Sequence, residues 1–144
     1  VKHWQVHENV YDNKTEDQIR MSSYTLLEKL VIKNEFATSY ISLSQSEQRQ
    51  FNAQKGDTEG LVNQALAIQG IKMAVFFKEA DGLIKISFRS KGDIPVNDLA
   101  RDFFEGGGHK NAAGGKFLGK LEDAIDRFES VLPEFYRRNK SSFG

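Results

Sequence analysis

Six of the chain's twelve glycines lie between Gly106 and Gly119. The stretch reads Gly106-Gly107-Gly108-His109-Lys110-Asn111-Ala112-Ala113-Gly114-Gly115-Lys116-Phe117-Leu118-Gly119, and no acidic residue falls between Glu105 and Glu122. Consecutive glycines let backbone approach a ligand closely and aim several N–H groups at one point. Such a concavity binds anions, phosphate above all. His109 adds a donor that can carry charge, and Lys110 and Lys116 make the local field positive. A second reading stands beside this one: three glycines as a tight connection, with His109 an ordinary polar residue.

The other group suited to phosphate is Arg89, in Ile86-Ser87-Phe88-Arg89-Ser90-Lys91. A guanidinium offers a rigid fork that matches two phosphate oxygens, and Ser90, just beyond it, can donate a hydroxyl. By itself Arg89 also fits a solvated position on a half-exposed strand; the glycine segment gives it weight. His3 and His7 are four residues apart, a metal-ligand spacing on a helix, but no carboxylate cluster supports them. Asp57 and Glu59 are better explained as a helix start. There is no Ser-His-Asp pattern, no Walker loop and, with no cysteine, no thiol nucleophile or thiolate zinc site. The residues offer a grip on phosphate without a means of cleaving anything.

These groups must be held by a scaffold, and the patterning predicts one. A helix is expected from Lys14 to Ile32, with Ile19, Leu27 and Leu30 on one face beside Tyr24 and a capped start near Thr15. A strand follows at Phe36 to Leu43. Ser44-Gln45-Ser46-Glu47 reads as a capping box opening a short helix to about Phe51. A further helix, capped by Asp57 or Thr58, is expected to end near Gln69 and Gly70. Ile71 to Phe77 is a near-continuous apolar strand, expected to be covered on both faces. Asp81-Gly82 marks a hairpin, and Leu83 to Arg89 returns from it. There Ile84, Ile86 and Phe88 face one way, and Lys85, Ser87 and Arg89 the other. A short helix over Ile94 to Phe104 turns Val96, Leu99 and Phe103 inward, and a last strand falls within Ala112 to Leu118. A final helix from Leu121 to Arg138 carries the stripe Leu121, Ile125, Phe128, Leu132 and Phe135, with Pro133 expected to kink it. Phe76, Phe77, Phe103 and Phe104 are assigned to the core. The fold class is α/β (α+β): a mixed sheet of about four to five strands flanked by helices.

The 144 residues suit one domain with an appended connection. At 39% hydrophobic and 28% charged the composition is globular. Twenty basic residues balance twenty acidic ones, which argues against a large basic surface for nucleic acid. Anion binding must come from a local arrangement. No apolar run approaches the ~20 residues that span a bilayer, and the polar, aromatic start Val1-Lys2-His3-Trp4 lacks a signal core. The expectation is a cytoplasmic protein that does not enter membranes. The start reads as the tail of something that began upstream.

Ser87-Phe88-Arg89-Ser90, Gly106-Gly107-Gly108-His109 and Asn111-Ala112-Ala113-Gly114, in this order, resemble the DHHA1 domain, the C-terminal half of many DHH-family phosphoesterases. Asp57-Thr58-Glu59-Gly60-Leu61-Val62-Asn63 also resembles a family segment, and Asn9-Val10-Tyr11-Asp12-Asn13 the end of the inter-domain connection. Within the family the resemblance runs to the bifunctional oligoribonuclease (nanoRNase)/pAp phosphatase branch. It implies three parts: a connection with a linker helix over 1–34, a DHHA1-like substrate domain over 35–140 and a disordered tail over 141–144. It implies a two-metal site, usually manganese, in an N-terminal DHH domain of the same chain. This fragment would then lack the metal site and be inactive alone, taking short RNA or a phosphorylated nucleotide as ligand, with a homodimer as a further option. By the same resemblance Gly106, Gly107 and Gly108 contact phosphate through backbone, and His109 donates to the phosphate near the metals. Arg89 and Ser90 hold a terminal phosphate or neighbouring base, with Lys110 and Asn111 as further contacts. Many relatives have a fourth glycine before the motif, where this chain has Glu105. A nucleic-acid-binding module, a cyclic-dinucleotide phosphodiesterase domain and an exopolyphosphatase-like domain are the alternatives that such domains also admit.

Overall fold

A computed structural model gives the fold and describes residues 14–144. The expectations for His3, His7 and Asn9 to Asn13 lie outside the described residues. Helix α1 spans Glu16–Glu28; the Thr15 hydroxyl accepts from Gln18 N, and Glu16 and Asp17 sit in the first turn, where carboxylates favour the helix dipole. The helix stops short of Ile32 because the β-branched Val31–Lys33 segment is drawn into the sheet as β1. Its buried residues are Met21 and Thr25, whereas Ile19 and Leu27 are exposed. The expected face was therefore the wrong one. A three-residue 3-10 turn, Asn34–Phe36, leads into β2, Thr38–Leu43, every residue of which is buried.

Ser44 and Glu47 form the capping box of α2, Gln45–Gln50. Helix α3 is shorter than expected, Leu61–Leu66, and starts after Gly60 in the left-handed conformation with no side-chain cap. Asp57 instead accepts from Gln54 N and tightens the preceding loop. Strands β3 (Met73–Ala80) and β4 (Leu83–Ser90) form the hairpin around Asp81-Gly82. Helix α4 (Val96–Phe103), β5 (Gly107–His109), β6 (Ala112–Leu118), α5 (Leu121–Arg138) and α6 (Lys140–Phe143) complete the described chain. Pro133 lies inside α5 without ending it.

Among the described residues the sheet has six strands in the order β1-β2-β3-β4-β6-β5, with β2 and β3 parallel and all other neighbours antiparallel. The strands that the sequence pattern does not show are β1 and β5, each of three residues, too short to show a period of two. On one face, β3 and β4 pack against α4 and α5 through Phe77, Phe88, Leu99, Phe128 and Leu132. Tyr40, Phe77 and Phe128 meet edge-on there, with ring centroids 5.7 Å apart. Phe104, rather than Phe103, is the deeply buried member of its pair and tilts against Phe88. On the other face a smaller core joins Met21, Ile41, Leu43, Leu61, Val62, Ala65, Ala74 and Phe76.

β1 pairs with β2 and α1 buries Met21 on the sheet, so residues ahead of 35 pack on the globular body. The tail is not disordered: Phe143 is buried against Phe135 and Tyr136.

Candidate phosphate-binding face

The smaller core draws its strand residues from β2 and β3 alone. Among the described residues that core stops at β4, where Val62 of α3 reaches the pocket beside the strand, and the side chains of β4, β6 and β5 on the same face can be read from the register. One cross-strand row is Ala74, Arg89, Ala112 and His109. The next is Phe76, Ser87, Gly114 and Gly107. The third is Lys78, Lys85 and Lys116. The result is a floor of small residues, Gly107, Gly114, Ala112 and Ser87, with Arg89 and His109 on one side and three lysines on the other. A pocket of about 240 Å³ opens on its inner side between β3, β4 and the loop Thr58-Glu59-Gly60, lined by Lys78, Lys85, Ser87 and Arg89.

The glycines divide by what the fold asks of them. A Cβ on Gly106 would lie 2.0 Å from the Gly114 carbonyl oxygen, and one on Gly108 would lie 2.8 Å from Ala113 Cα. Close strand packing therefore requires both. Gly107 is different: a Cβ there meets nothing within 4 Å, and one on Gly114 meets only the Ile86 carbonyl at 3.6 Å. Packing does not explain these two. They keep the floor low where backbone can touch a ligand. β5 is also the sheet edge, so alternate N–H groups along it have no neighbouring strand.

Arg89 is half-buried, and its Nη1 donates to the carbonyls of Phe88 at 2.9 Å and Ala113 at 3.5 Å. Those bonds hold the guanidinium over the floor. No carboxylate among the described residues pairs with it, which leaves donors for an anion. His109 is exposed at the far end of the same row. Lys78 donates to the Thr58 hydroxyl at 3.1 Å. Burial holds its ammonium below the usual lysine range, and Lys85 adds to this while Asp57 opposes it.

The structure separates the expected site residues. Arg89, Gly107 and His109 share the open face, with Gly106 and Gly108 as its supports. Ser90 does not join them, because successive strand residues point to opposite faces. It is buried on the other side, where its hydroxyl donates to the Ile94 carbonyl at 2.7 Å and accepts from Asn111 Nδ2 at 2.9 Å. Asn111 also donates to the Gly92 carbonyl; its amide ties two loops together. Lys110 pairs with Asp93 at 2.9 Å. The lysine row escaped the sequence because three lysines at 78, 85 and 116 are unremarkable until the register aligns them.

Residues 33–134, more than half of the chain, match the DHHA1 domain. The chain belongs to the DHHA1 family. The DHHA1 domain here is 42% identical over 64 residues to the bifunctional oligoribonuclease and PAP phosphatase NrnA of Bacillus subtilis, a stretch covering 44% of this chain and 20% of that protein. An exopolyphosphatase-related protein from Bacteroides fragilis superposes with a TM-score of 0.91 at 37% identity, over 97% of this chain and 41% of that one. A pGpG-specific phosphodiesterase from Vibrio cholerae shares the fold at 13% identity and a TM-score of 0.53, over 92% of this chain and 40% of that one. The chain thus spans a fifth of the curated relative and about two fifths of these solved ones. Among the described residues no three His, Asp or Glu side chains gather where a metal ion could sit, and no helix is long and apolar enough to cross a membrane.

Proposed function

We propose that this DHHA1 domain is the substrate-holding part of a metal-dependent phosphoesterase that hydrolyses short oligoribonucleotides, 3′-phosphoadenosine 5′-phosphate or both. The observation that carries the reading is the open glycine floor at Gly107 and Gly114, bordered by an Arg89 that has no carboxylate partner among the described residues. The likeness to NrnA supports the substrate class. In this reading Arg89, His109 and the Gly107 backbone grip a phosphate, and Gly106 and Gly108 set the strand that presents them. The divalent ions, manganese by family resemblance, belong to an N-terminal DHH domain of the parent protein, and this domain alone is inactive.

The test uses the full-length protein. Arg89→Ala and His109→Ala are expected to fold normally and to lower turnover of a 5′-phosphorylated diadenylate by about tenfold to a hundredfold, the value of one or two charge-assisted hydrogen bonds. Unchanged turnover in both variants sinks the reading.

The exopolyphosphatase-related relative, at 37% identity over nearly the whole chain, favours a second reading in which inorganic polyphosphate occupies the same face. Competition decides between them. Polyphosphate displacing the dinucleotide while itself being hydrolysed faster supports the second.

A further inference from the structure

Lys78, Lys85 and Lys116 stand directly opposite one another on three adjacent strands. Like charges so placed destabilise a sheet. None of the three pairs with a carboxylate among the described residues. Lys85 and Lys116 are exposed, and Lys78 lines the pocket that also reaches Arg89. Glu59 lines the pocket, and Asp57 of the same loop favours the charged form of Lys78 without forming an ion pair. The sheet therefore holds a concentrated positive row with no ion-pair partner among the described residues, on the same open face as Arg89 and four residues away along β4.

We propose that this lysine row is a second anion subsite that holds a further phosphate of the same ligand. The inference rests on the reading of the Arg89–His109 row as the first phosphate site. Four residues of strand span about 14 Å, longer than the gap between adjacent phosphates of a nucleic-acid strand. The two rows are thus matched to phosphates separated by an intervening one. The ligand class that fits is a single-stranded oligoribonucleotide of at least three phosphates. The floor between the rows, Ser87, Gly114 and Gly107, carries no charge and leaves room for sugar and base. In this arrangement the lysine row rewards length, and the Arg89 row selects the terminal phosphate.

The experiment measures binding to the full-length protein with divalent metal withheld, so that ligands stay intact. The probes are 5′-phosphorylated diadenylate and 5′-phosphorylated triadenylate. The wild type is expected to bind the trimer about tenfold more tightly than the dimer, one charge-assisted contact's worth. Lys85→Gln with Lys116→Gln, both exposed positions, is expected to erase that ratio and leave dimer affinity unchanged. The salt dependence of trimer binding should also fall, by a slope of about one. A double variant that keeps the trimer-to-dimer ratio overturns the subsite. So does one that weakens both ligands equally, which marks the lysines as a diffuse field. Arg89→Ala reports separately on the first site. If it leaves dimer affinity intact, the Arg89 reading fails, whatever the lysines do to the ratio.

Discussion

Gly107 lies directly across from Gly114 in the β5–β6 ladder, and neither has to be glycine for the strands to pack. Gly106, Gly108 and Gly115 do. Gly107→Ala is expected to leave thermal stability within about 0.5 kcal/mol of wild type while weakening phosphate binding. Gly106→Ala, which forces a Cβ onto the Gly114 carbonyl, is expected to lose about 1–3 kcal/mol or more. Thermal melts and phosphate-dependent binding of the two variants check this. Equal stability losses would show that the glycine run acts only as a connection.

Ser90 gives a contrasting expectation. Its buried hydroxyl bridges the Ile94 carbonyl and Asn111. Ser90→Ala leaves an acceptor and a donor short of a partner, at a cost of about 1–3 kcal/mol. Phosphate affinity, measured well below the melting temperature, should stay near that of wild type. A large drop in affinity at full stability would place Ser90 at the ligand instead.

Two Tyr–Glu–Lys clusters, one on each face of the sheet, set the acid limb of stability. The Tyr40 hydroxyl, with Lys33 adding, holds Glu129 below the usual carboxylate range against opposing burial. At Glu47 burial pushes the carboxyl up, but the Ser44 N–H, Tyr24 and Lys29 together outweigh it. A depressed folded-state value means stability that is full above the ordinary 4.5 and lost as pH falls through the folded value. Glu47→Gln with Glu129→Gln should therefore flatten the decline in urea midpoint from about pH 6 to about pH 3. An unaltered decline assigns the acid sensitivity to other groups. On the alkaline side the same contact pushes the Tyr24 phenol up to about 12. Its contribution is present below the ordinary tyrosine value and fades as pH rises through the folded one.

Glu105 occupies the left-handed region at φ 48°. For a residue with a Cβ this costs about 1 kcal/mol. Glu105→Gly should raise the urea midpoint relative to Glu105→Ala, because only glycine relieves the backbone while both remove the charge. Equal midpoints would locate the effect in the carboxylate.

The sequence made the long periodic elements legible. Leu121 to Arg138 and the alternating Leu83 to Ser90 declare themselves by where apolar residues recur. Arg89 and Gly106–His109 stand out as candidate phosphate ligands for the same local reason. What depended on pairing was hidden. β1 and β5 are three residues each and take their conformation from the neighbouring strand. Ile19 and Leu27 matched a helical face as well as Met21 and Thr25 did, and only the tertiary contact chooses between them. Ser90 was read with Arg89 because they are adjacent in sequence, yet the pleat that exposes one buries the other.

The alternation along β4 and β6 also separates two kinds of inheritance. Ile84, Ile86, Phe88 and Ala113 keep the body folded, while Lys85, Ser87, Arg89, Gly114 and Lys116 on the bare side bear no part of that core. Substitutions on that side leave this core's contacts in place. Ligand preference can thus drift from one descendant to another across a scaffold that barely changes, and the geometry of the sheet makes this domain evolvable.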